Sequence, residues 1–463
     1  MTQKKPTVSR RAFLSNAAIL GASGTLGAGG LLTACSGGGS NKLTPLRPAS
    51  EIFIPDLPDK AVDGKPLRAA LVGCGGRGTG AALNFLEAGD GLSIVACADF
   101  LQDRMDHSRR ILQQRGKVEL PDNRCFVGFD SFRRACELPD VDVVIVASPG
   151  LFHPEHMKYA IEQGKHVFCE KPAAVDAAGY RKYMTAVRQA QTSGLCIMTG
   201  TERRNSRAHV ESYKKVQEGY IGQITSGNVY CAVGHSHYIR RQPEWTDLEY
   251  MIRDHFSWIW TSGDIIVDQL IHFVDIFTWF SHLKPVWTFG TGARIRKYTG
   301  NIYDCFSADI EYEGGIHVHA IERQINNCSN REAVTIQGTK GSWSNVTGEF
   351  IIRDLDGNEI WKYDQEAAKE EFKQHNPFVL EHVVLVNHIR QGKVINAGEG
   401  TATSTMACMM ARESAYTGKF VTWDEMTQSD MDFMPPQMEQ GIVDVDKYKA
   451  IPLPGTVYRT DKA

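Results

Sequence analysis

Beyond residue 40 the 463-residue chain has no apolar run long enough to cross a bilayer; the best, over 265–280, is broken by Asp268, His272 and Asp275. It has no repeat at a fixed period, which excludes solenoids and propellers. Neither charge dominates: 51 Lys and Arg face 54 Asp and Glu, a formal net charge of −3, so no basic field draws nucleic acid. No two of the 11 cysteines stand at a C-x-x-C spacing, and no zinc site is expected. What is present, 42% apolar and 23% charged residues, is the balance of an ordinary globular enzyme, at a length that suggests two or three domains.

The first forty residues read as an address. Lys4, Lys5, Arg10 and Arg11 precede a weakly apolar stretch at 17–32, and Ser9-Arg10-Arg11-Ala12-Phe13-Leu14 matches the bacterial twin-arginine export pattern. The stretch ends in Leu32-Thr33-Ala34-Cys35, which reads as a lipoprotein processing box. Residues 1–35 are therefore expected to be a signal, with Cys35 the lipidated N-terminus and the Gly- and Ser-rich residues 36–40 a tether inside a lead-in at 36–65. The expected location is periplasmic or at the cell surface, held to a membrane by lipid but not spanning it. Twin-arginine export carries folded proteins, so the ten cysteines after Cys35 are expected to stay buried thiols with few or no disulfides.

Residues 66–202 alternate strand and helix. Apolar runs at 67–73, 92–98, 141–147, 166–169 and 195–200 predict strands, with helices after the first strand to about 88 and at about 154–163 and 175–192. The near-continuous apolar character of 141–147 suits a parallel strand covered on both faces, and the alternation predicts an α/β doubly wound sheet. The turn after the first strand, Gly73-Cys74-Gly75-Gly76-Arg77-Gly78, is a G-x-G-x-x-G match leaving a strand and entering a helix, where amides can hold a pyrophosphate. Asp99 follows 21 residues after Gly78 at the end of the next strand, placed for the ribose hydroxyls. This favours NAD over NADP, although Arg104 stands near enough to serve a phosphate.

Ala147-Ser148-Pro149, His153, Gly164-Lys165-His166-Val167 and Glu170-Lys171-Pro172 follow at set intervals, and Gly263-Asp264 precedes Asp268, His272 and Asp275. Together these motifs resemble those of the glucose–fructose oxidoreductase / inositol dehydrogenase (Gfo/Idh/MocA) family over roughly 67–425. The resemblance implies an NAD-binding Rossmann domain followed by an α+β domain with a large open, mainly antiparallel sheet. It also implies that Lys171, Asp268 and His272 act at the substrate, that Ser148, Pro149, His153, Glu170 and Lys171 lie with the glycine turn (Arg77 included) and Asp99 around the cofactor, and that subunits pair as a dimer or tetramer.

The residues themselves carry part of that reading. From 264 to 280 nearly every residue is apolar, which predicts one buried helix whose Asp264, Asp268, His272 and Asp275 form a single polar stripe. Such a stripe needs partners or a polar cavity. Asp264 suits a helix cap and Asp275 a structural network, leaving His272 as the candidate base with Asp268 orienting it. Lys171 ends an apolar strand at the carboxyl edge of the sheet, where ligands bind, and is placed to steady charge on the same substrate oxygen.

Residues 203–425 form the expected substrate and oligomerisation domain, with strands at 224–231, 286–296, 307–312, 316–321, 333–338 and 350–353 and helices at 378–391 and 400–416 packing near the junction. The polar, Pro-bearing tail 426–463 is expected on the surface. Between 235 and 262 stand His235, His237, Tyr238, Trp245, Tyr250, His255, Phe256, Trp258 and Trp260, with Arg240, Arg241 and Arg253. Their aromatic faces suit sugar stacking, Trp258 and Trp260 above all, and equally suit a loop packed on itself. Arg203 and Arg204 are expected to face the same cleft. His235 and His237 lack a third ligand, so no metal is expected.

Outside the cytoplasm there is no free NAD pool, so an exported enzyme must carry NAD tightly bound and balance its redox chemistry within the site. The expected activity is hydride transfer at a ring hydroxyl of a sugar or glycoside. The alternative is a glycosidase resembling the NAD-dependent α-N-acetylgalactosaminidases, which oxidise, eliminate, hydrate and re-reduce; here Asp268 and His272 stand in place of those enzymes' own histidine motif. A third possibility, a sugar-binding lipoprotein with a structural cofactor, fits poorly with Lys171, Asp268 and His272 all present.

Overall fold

A computed structural model describes residues 43–235, 238–296, 299–438 and 443–455. The expected export signal, Cys35 and the expected tether at residues 36–40 lie outside the described residues, as does His237. Among the described residues, fifteen strands form two sheets. The first is wholly parallel: β1 (Leu67–Val72), β2 (Leu92–Asp99), β3 (Cys125–Val127), β4 (Val143–Val146), β5 (His166–Cys169) and β6 (Ile197–Thr199), in the order β3-β2-β1-β4-β5-β6. All four residues of β4 are buried, as expected of a strand covered by helices on both faces. Helices Gly76–Glu87, Gln102–Gly116, Ser131–Cys136, His153–Glu162 and Ala177–Thr192 connect the strands. The strand order reverses between β1 and β4, which opens a crevice at their carboxyl ends. Three half-buried residues make up β3, too few to show as a period in the sequence.

The second sheet has the order β14-β13-β12-β11-β7-β10-β9-β8-β15 and is antiparallel except where β7 (Ile224–Val233) runs parallel to β10 (Ile316–Gln324). Its other strands are β8 (Pro285–Ala293), β9 (Cys305–Tyr312), β11 (Arg331–Gly338), β12 (Gly341–Ser344), β13 (Ile351–Asp354), β14 (Glu359–Lys362) and β15 (Val421–Thr422). The six predicted strands are present; the short β14 and β15 form the two edges, and β12 lies between β11 and β13. Alternation along β9 and β10 turns Phe306, Ala308 and Ile310 inward and leaves one face of the sheet uncovered. Helix Ile271–Ser281 packs on this second sheet, Pro377–Gln391 on the parallel one, and Gly398–Thr417 touches strands of both. A Cβ at Gly227 would come within 2.6 Å of the Phe277 ring, so β7 needs glycine where the helix crosses it. The guanidinium of Arg412, fully buried, donates to the Val175 and Gly263 carbonyls and ties Gly398–Thr417 to the junction.

Two expectations about local structure are corrected. The single helix over 264–280 is two, Ile265–Asp268 and Ile271–Ser281, interrupted at Gln269 and Leu270, and Asp264 precedes them with φ at 75°. The break means that its four polar residues do not share one stripe. The expected surface drape of the C-terminal tail is corrected only in part: most of its described residues are exposed or half-buried, but Met438 and Tyr448 are buried in a second apolar cluster with Tyr250, Trp258 and Trp260. Ten described cysteines are free thiols, seven of them buried. No helix of the described residues is long and apolar enough to cross a membrane.

Candidate active site

A cleft of about 1120 Å3 begins at the carboxyl ends of β1 and β4 and takes in residues from both halves of the chain. Gly73, Gly75, Gly76 and Gly78 line its floor, with Asp99, Ser148 and Pro149 beside them. Their spacing is steric. A Cβ at Gly78 would lie 1.8 Å from the Gly73 carbonyl oxygen, and one at Gly73, where φ is 97°, would strike the backbone of Ala147 and Ser148 at 2.5 Å. A Cβ at Gly76 would meet nothing within 4 Å and would project into open space at the start of helix Gly76–Glu87. This is the cradle a pyrophosphate requires: free amides at a helix N-terminus with no side chain in the way. Asp99 accepts from the amides of Cys74 (2.6 Å) and Leu101 (2.8 Å), and burial pushes its carboxyl up against those two bonds. The carboxylate thus fixes the glycine turn while lining the cleft. The residues present therefore fit a dinucleotide.

At the other end of the cleft Lys171 and Asp268 meet. The Lys171 Nζ donates to the Asp268 carbonyl oxygen at 2.6 Å and lies 3.4 Å from its Oδ2. Gln269 Nε2 donates to that same carboxylate oxygen, at 2.5 Å. An ammonium has three protons, so this arrangement leaves Lys171 a donor for a ligand in the cleft. His272 is not held by Asp268, contrary to the expectation. The helix break turns it toward Glu202, whose Oε2 lies 3.1 Å from its Nδ1. Burial alone would push the Glu202 carboxyl up, but the charge and hydrogen bond of His272, with Arg203 beside it, hold it well below the usual carboxylate range. His272 does not line the main cleft; it stands four residues after Asp268, across the helix break, and is partly exposed.

Several predicted site residues are committed elsewhere. Arg204 grips Asp275 with two bonds of 2.8 Å, and Ser404 donates to the same carboxylate, a buried structural tie. Arg203 donates to Glu202 at 2.7 Å and lies over the Phe273 ring. Neither lines the cleft. Arg77 lines it, but its guanidinium turns to Glu170 (2.5 Å) and Glu381 (3.4 Å), so Arg77 and Glu170 hold each other and Glu170 is absent from the lining. Both ring nitrogens of His153 lie 2.7 Å from carbonyl oxygens, those of Pro172 and Ser148, which clips together the two loops that carry Lys171 and Ser148; His153 itself is buried outside the cleft.

Trp258 and Trp260 are not placed to stack on a ligand. They are 7% and 1% exposed, and Trp260 stacks on Tyr448 of the tail at 4.7 Å. Arg253 is likewise taken, by two bonds to Asp103 of 2.8 and 2.9 Å. Asp264 is enclosed, accepting from the amides of Ile265 and Tyr303 and from the Tyr416 hydroxyl; burial pushes its carboxyl up to about 7.

Three participants escaped the sequence reading. Glu202 has no motif, because its role depends on the fold carrying β6 past helix Ile271–Ser281. His156 lines the cleft, stacks on Phe132 at 4.2 Å, shares a 3.0 Å hydrogen bond with Ser148 Oγ and is pushed down to about 3 by burial. Residues Met434, Pro435, Pro436, Gln437 and Met438 also line the cleft, from the far end of the chain.

Comparison with known proteins agrees with this architecture. An oxidoreductase family model, NAD-binding Rossmann fold, matches residues 67–200, and a model of the GFO/IDH/MocA C-terminal domain matches 209–344. Glycosyl hydrolase family 109 protein 1 of Bacteroides thetaiotaomicron is 34% identical over 133 residues, 28% of this chain and 27% of that protein. The 1,5-anhydro-D-fructose reductase of Ensifer adhaerens is 33% identical over 120 residues, 26% of this chain and 35% of that one. The chain thus matches about a third or less of the length of either relative. Among solved structures, the aldose-aldose oxidoreductase of Caulobacter crescentus superposes with a TM-score of 0.60 at 18% identity, covering 77% of this chain and 99% of that one. The scyllo-inositol dehydrogenase of Lactobacillus casei, solved with NAD(H) and scyllo-inositol, gives 0.59 at 20% identity, covering 78% and 99%. At these identities the likeness is one of fold.

Proposed function

The chain belongs to the Gfo/Idh/MocA oxidoreductase family, and on that premise we propose that it is a sugar oxidoreductase with tightly held NAD, transferring hydride at a ring hydroxyl of a sugar or glycoside. The observation that carries this reading is one cleft with a glycine cradle and Asp99 at one end and the Lys171–Asp268 pair at the other. When bound, NAD supplies the hydride acceptor.

The chain's own residues supply the rest. The amides at Gly75 and Gly76 hold the pyrophosphate, and the Asp99 carboxylate takes the ribose hydroxyls and disfavours a 2′-phosphate. Asp268 holds the Lys171 ammonium so that its remaining proton points a hydrogen bond at the substrate oxygen, steadying negative charge there. We assign the hydroxyl proton, released as the hydride pair leaves the same carbon, to His272, whose ring must reach the substrate from just outside the residues that line the cleft. The Glu202 carboxylate orients the ring through Nδ1 and balances the charge it gains, leaving Nε2 as the accepting atom.

The same proposal places the protein outside the cytoplasm, anchored through Cys35, and it rests there on the sequence of residues 1–40. A second reading, an NAD-dependent glycosidase, is favoured by the curated relatives, which include several glycosyl hydrolase family 109 proteins and the alpha-N-acetylgalactosaminidase of Bacteroides fragilis. The two are separated by following nicotinamide absorbance with a panel of free sugars and of p-nitrophenyl glycosides. Reduction by a free sugar that the Lys171→Met variant abolishes supports the oxidoreductase. Glycoside cleavage with no net absorbance change supports the glycosidase.

A further inference from the structure

The C-terminal tail reaches back across the chain to wall the nucleotide end of the cleft, and it is fastened there on both sides. Ahead of the wall, the amide of Phe433 donates to Asp176 Oδ2 at 2.7 Å, and the amide of Ala178 donates to the Met431 carbonyl at 3.0 Å. Arg181 donates to the carbonyls of Thr427 and Ser429 at 2.9 and 2.7 Å. Asp176 is buried and caps helix Ala177–Thr192 through Gly179, so the fastening point is rigid. Past the wall, Asn301 Nδ2 donates to the carbonyls of Tyr448 and Ala450 at 2.8 and 2.9 Å, and the Tyr448 ring is the one stacked on Trp260. Between these fastenings Pro435 and Pro436 fix the backbone angle φ at two successive positions, so the stretch is stiff.

A second tie joins the two halves of the chain at the same cleft. Arg253 of the second half holds Asp103 of helix Gln102–Gly116, and its carbonyl accepts from Arg104 at 2.8 Å. Asp103, Arg104, Arg253 and the Met434–Met438 stretch all line the same cleft as the glycine turn.

We propose that the Met434–Met438 stretch and the Arg253–Asp103 clasp form a retaining wall that makes the nucleotide a resident group with slow release, and that the aromatic residues around Trp260 serve to anchor this wall. The inference rests on the assignment of the cleft to a dinucleotide. A mobile co-substrate needs an open rim; here, release requires parting these hydrogen bonds, the Asn301–Tyr448 bond a buried one, and exposing Met438 and Tyr448, so dissociation is limited by local opening.

The test measures nucleotide release. Protein without residues 1–35 is loaded with NADH, chased with excess NAD, and the loss of bound NADH fluorescence is followed for the wild type, for Asn301→Ala/Tyr448→Ala and for Asp103→Asn. Asp103 is mostly exposed, so its substitution leaves folding intact. The wild type is expected to release NADH over many minutes, and each variant about tenfold faster or more. Equal rates in the wild type and in Asp103→Asn, or release within seconds from the wild type, overturn the wall while leaving the nucleotide site in place. Failure of the wild type to bind NADH at all overturns the assignment of the cleft and the wall together.

Discussion

His272 Nδ1 and Glu202 Oε2 stand 3.1 Å apart, a histidine and a carboxylate joined across the two halves of the chain. Glu202 ends the parallel-sheet half just after β6, and His272 stands in the first turn of helix Ile271–Ser281 of the second half. Replacing Glu202 with Gln removes the charge that balances a protonated ring. The expected result is a fall in kcat of about 10- to 100-fold with KM nearly unchanged, while His272→Ala loses about 10²- to 10⁴-fold. Steady-state kinetics on the same sugar, with nucleotide release measured alongside, checks both; release rates equal to wild type confine the effect to the proton step.

The glycine turn separates packing from binding at two positions. Gly78→Ala places a Cβ 1.8 Å from the Gly73 carbonyl and is expected to destabilise the fold by about 1–3 kcal/mol. Gly76→Ala places a Cβ with no protein atom within 4 Å and is expected to keep its melting temperature, yet to weaken NADH binding about tenfold or more, because its side chain enters the pyrophosphate path. Thermal melts and fluorescence titrations of the two variants give opposite patterns if the cradle is assigned correctly.

Asp264 sets a pH dependence of stability. An unfolded aspartate ionises near 3.9, whereas burial pushes folded Asp264 up to about 7. Between those values the folded state keeps a proton that the unfolded state has lost, so this group's contribution falls as pH rises from about 4 to about 7. Asp264→Asn keeps a hydrogen-bonding group beside Tyr416 but does not titrate. Urea midpoints for both proteins at pH 5 and pH 7.5 are expected to show the variant gaining on the wild type at the higher pH.

Much of the architecture was legible because it depends on local pattern. The apolar runs of β1, β2, β4 and β5 and the glycine turn are dictated within a few residues of sequence. What was not legible depends on contacts across the chain. The 264–280 stretch reads as one helix by composition, but Asp264 is drawn to Tyr303 and Tyr416, and the chain breaks at Gln269 so that Asp268 can meet Lys171 and His272 can meet Glu202. Trp258 and Trp260 have the aromatic character of a sugar platform, and only the position of the distant tail shows that their faces are already covered.

The export signal and lipid anchor proposed for residues 1–35 predict a fractionation result. Cys35→Ser is expected to move the protein from the membrane fraction to the soluble fraction while Arg10→Lys/Arg11→Lys blocks its export, each followed by immunoblot of fractionated cells.

On the proposed function, the cleft holds a nicotinamide dinucleotide that turns over in place on a sugar. The most direct measurement is to purify the protein lacking residues 1–35 with no cofactor added, denature a portion and identify any released nucleotide, then follow nicotinamide absorbance of the intact protein with a sugar panel. Bound NAD that is reduced by one sugar and reoxidised by a second is the predicted result. Protein that releases no nucleotide and fails to bind added NAD would contradict it.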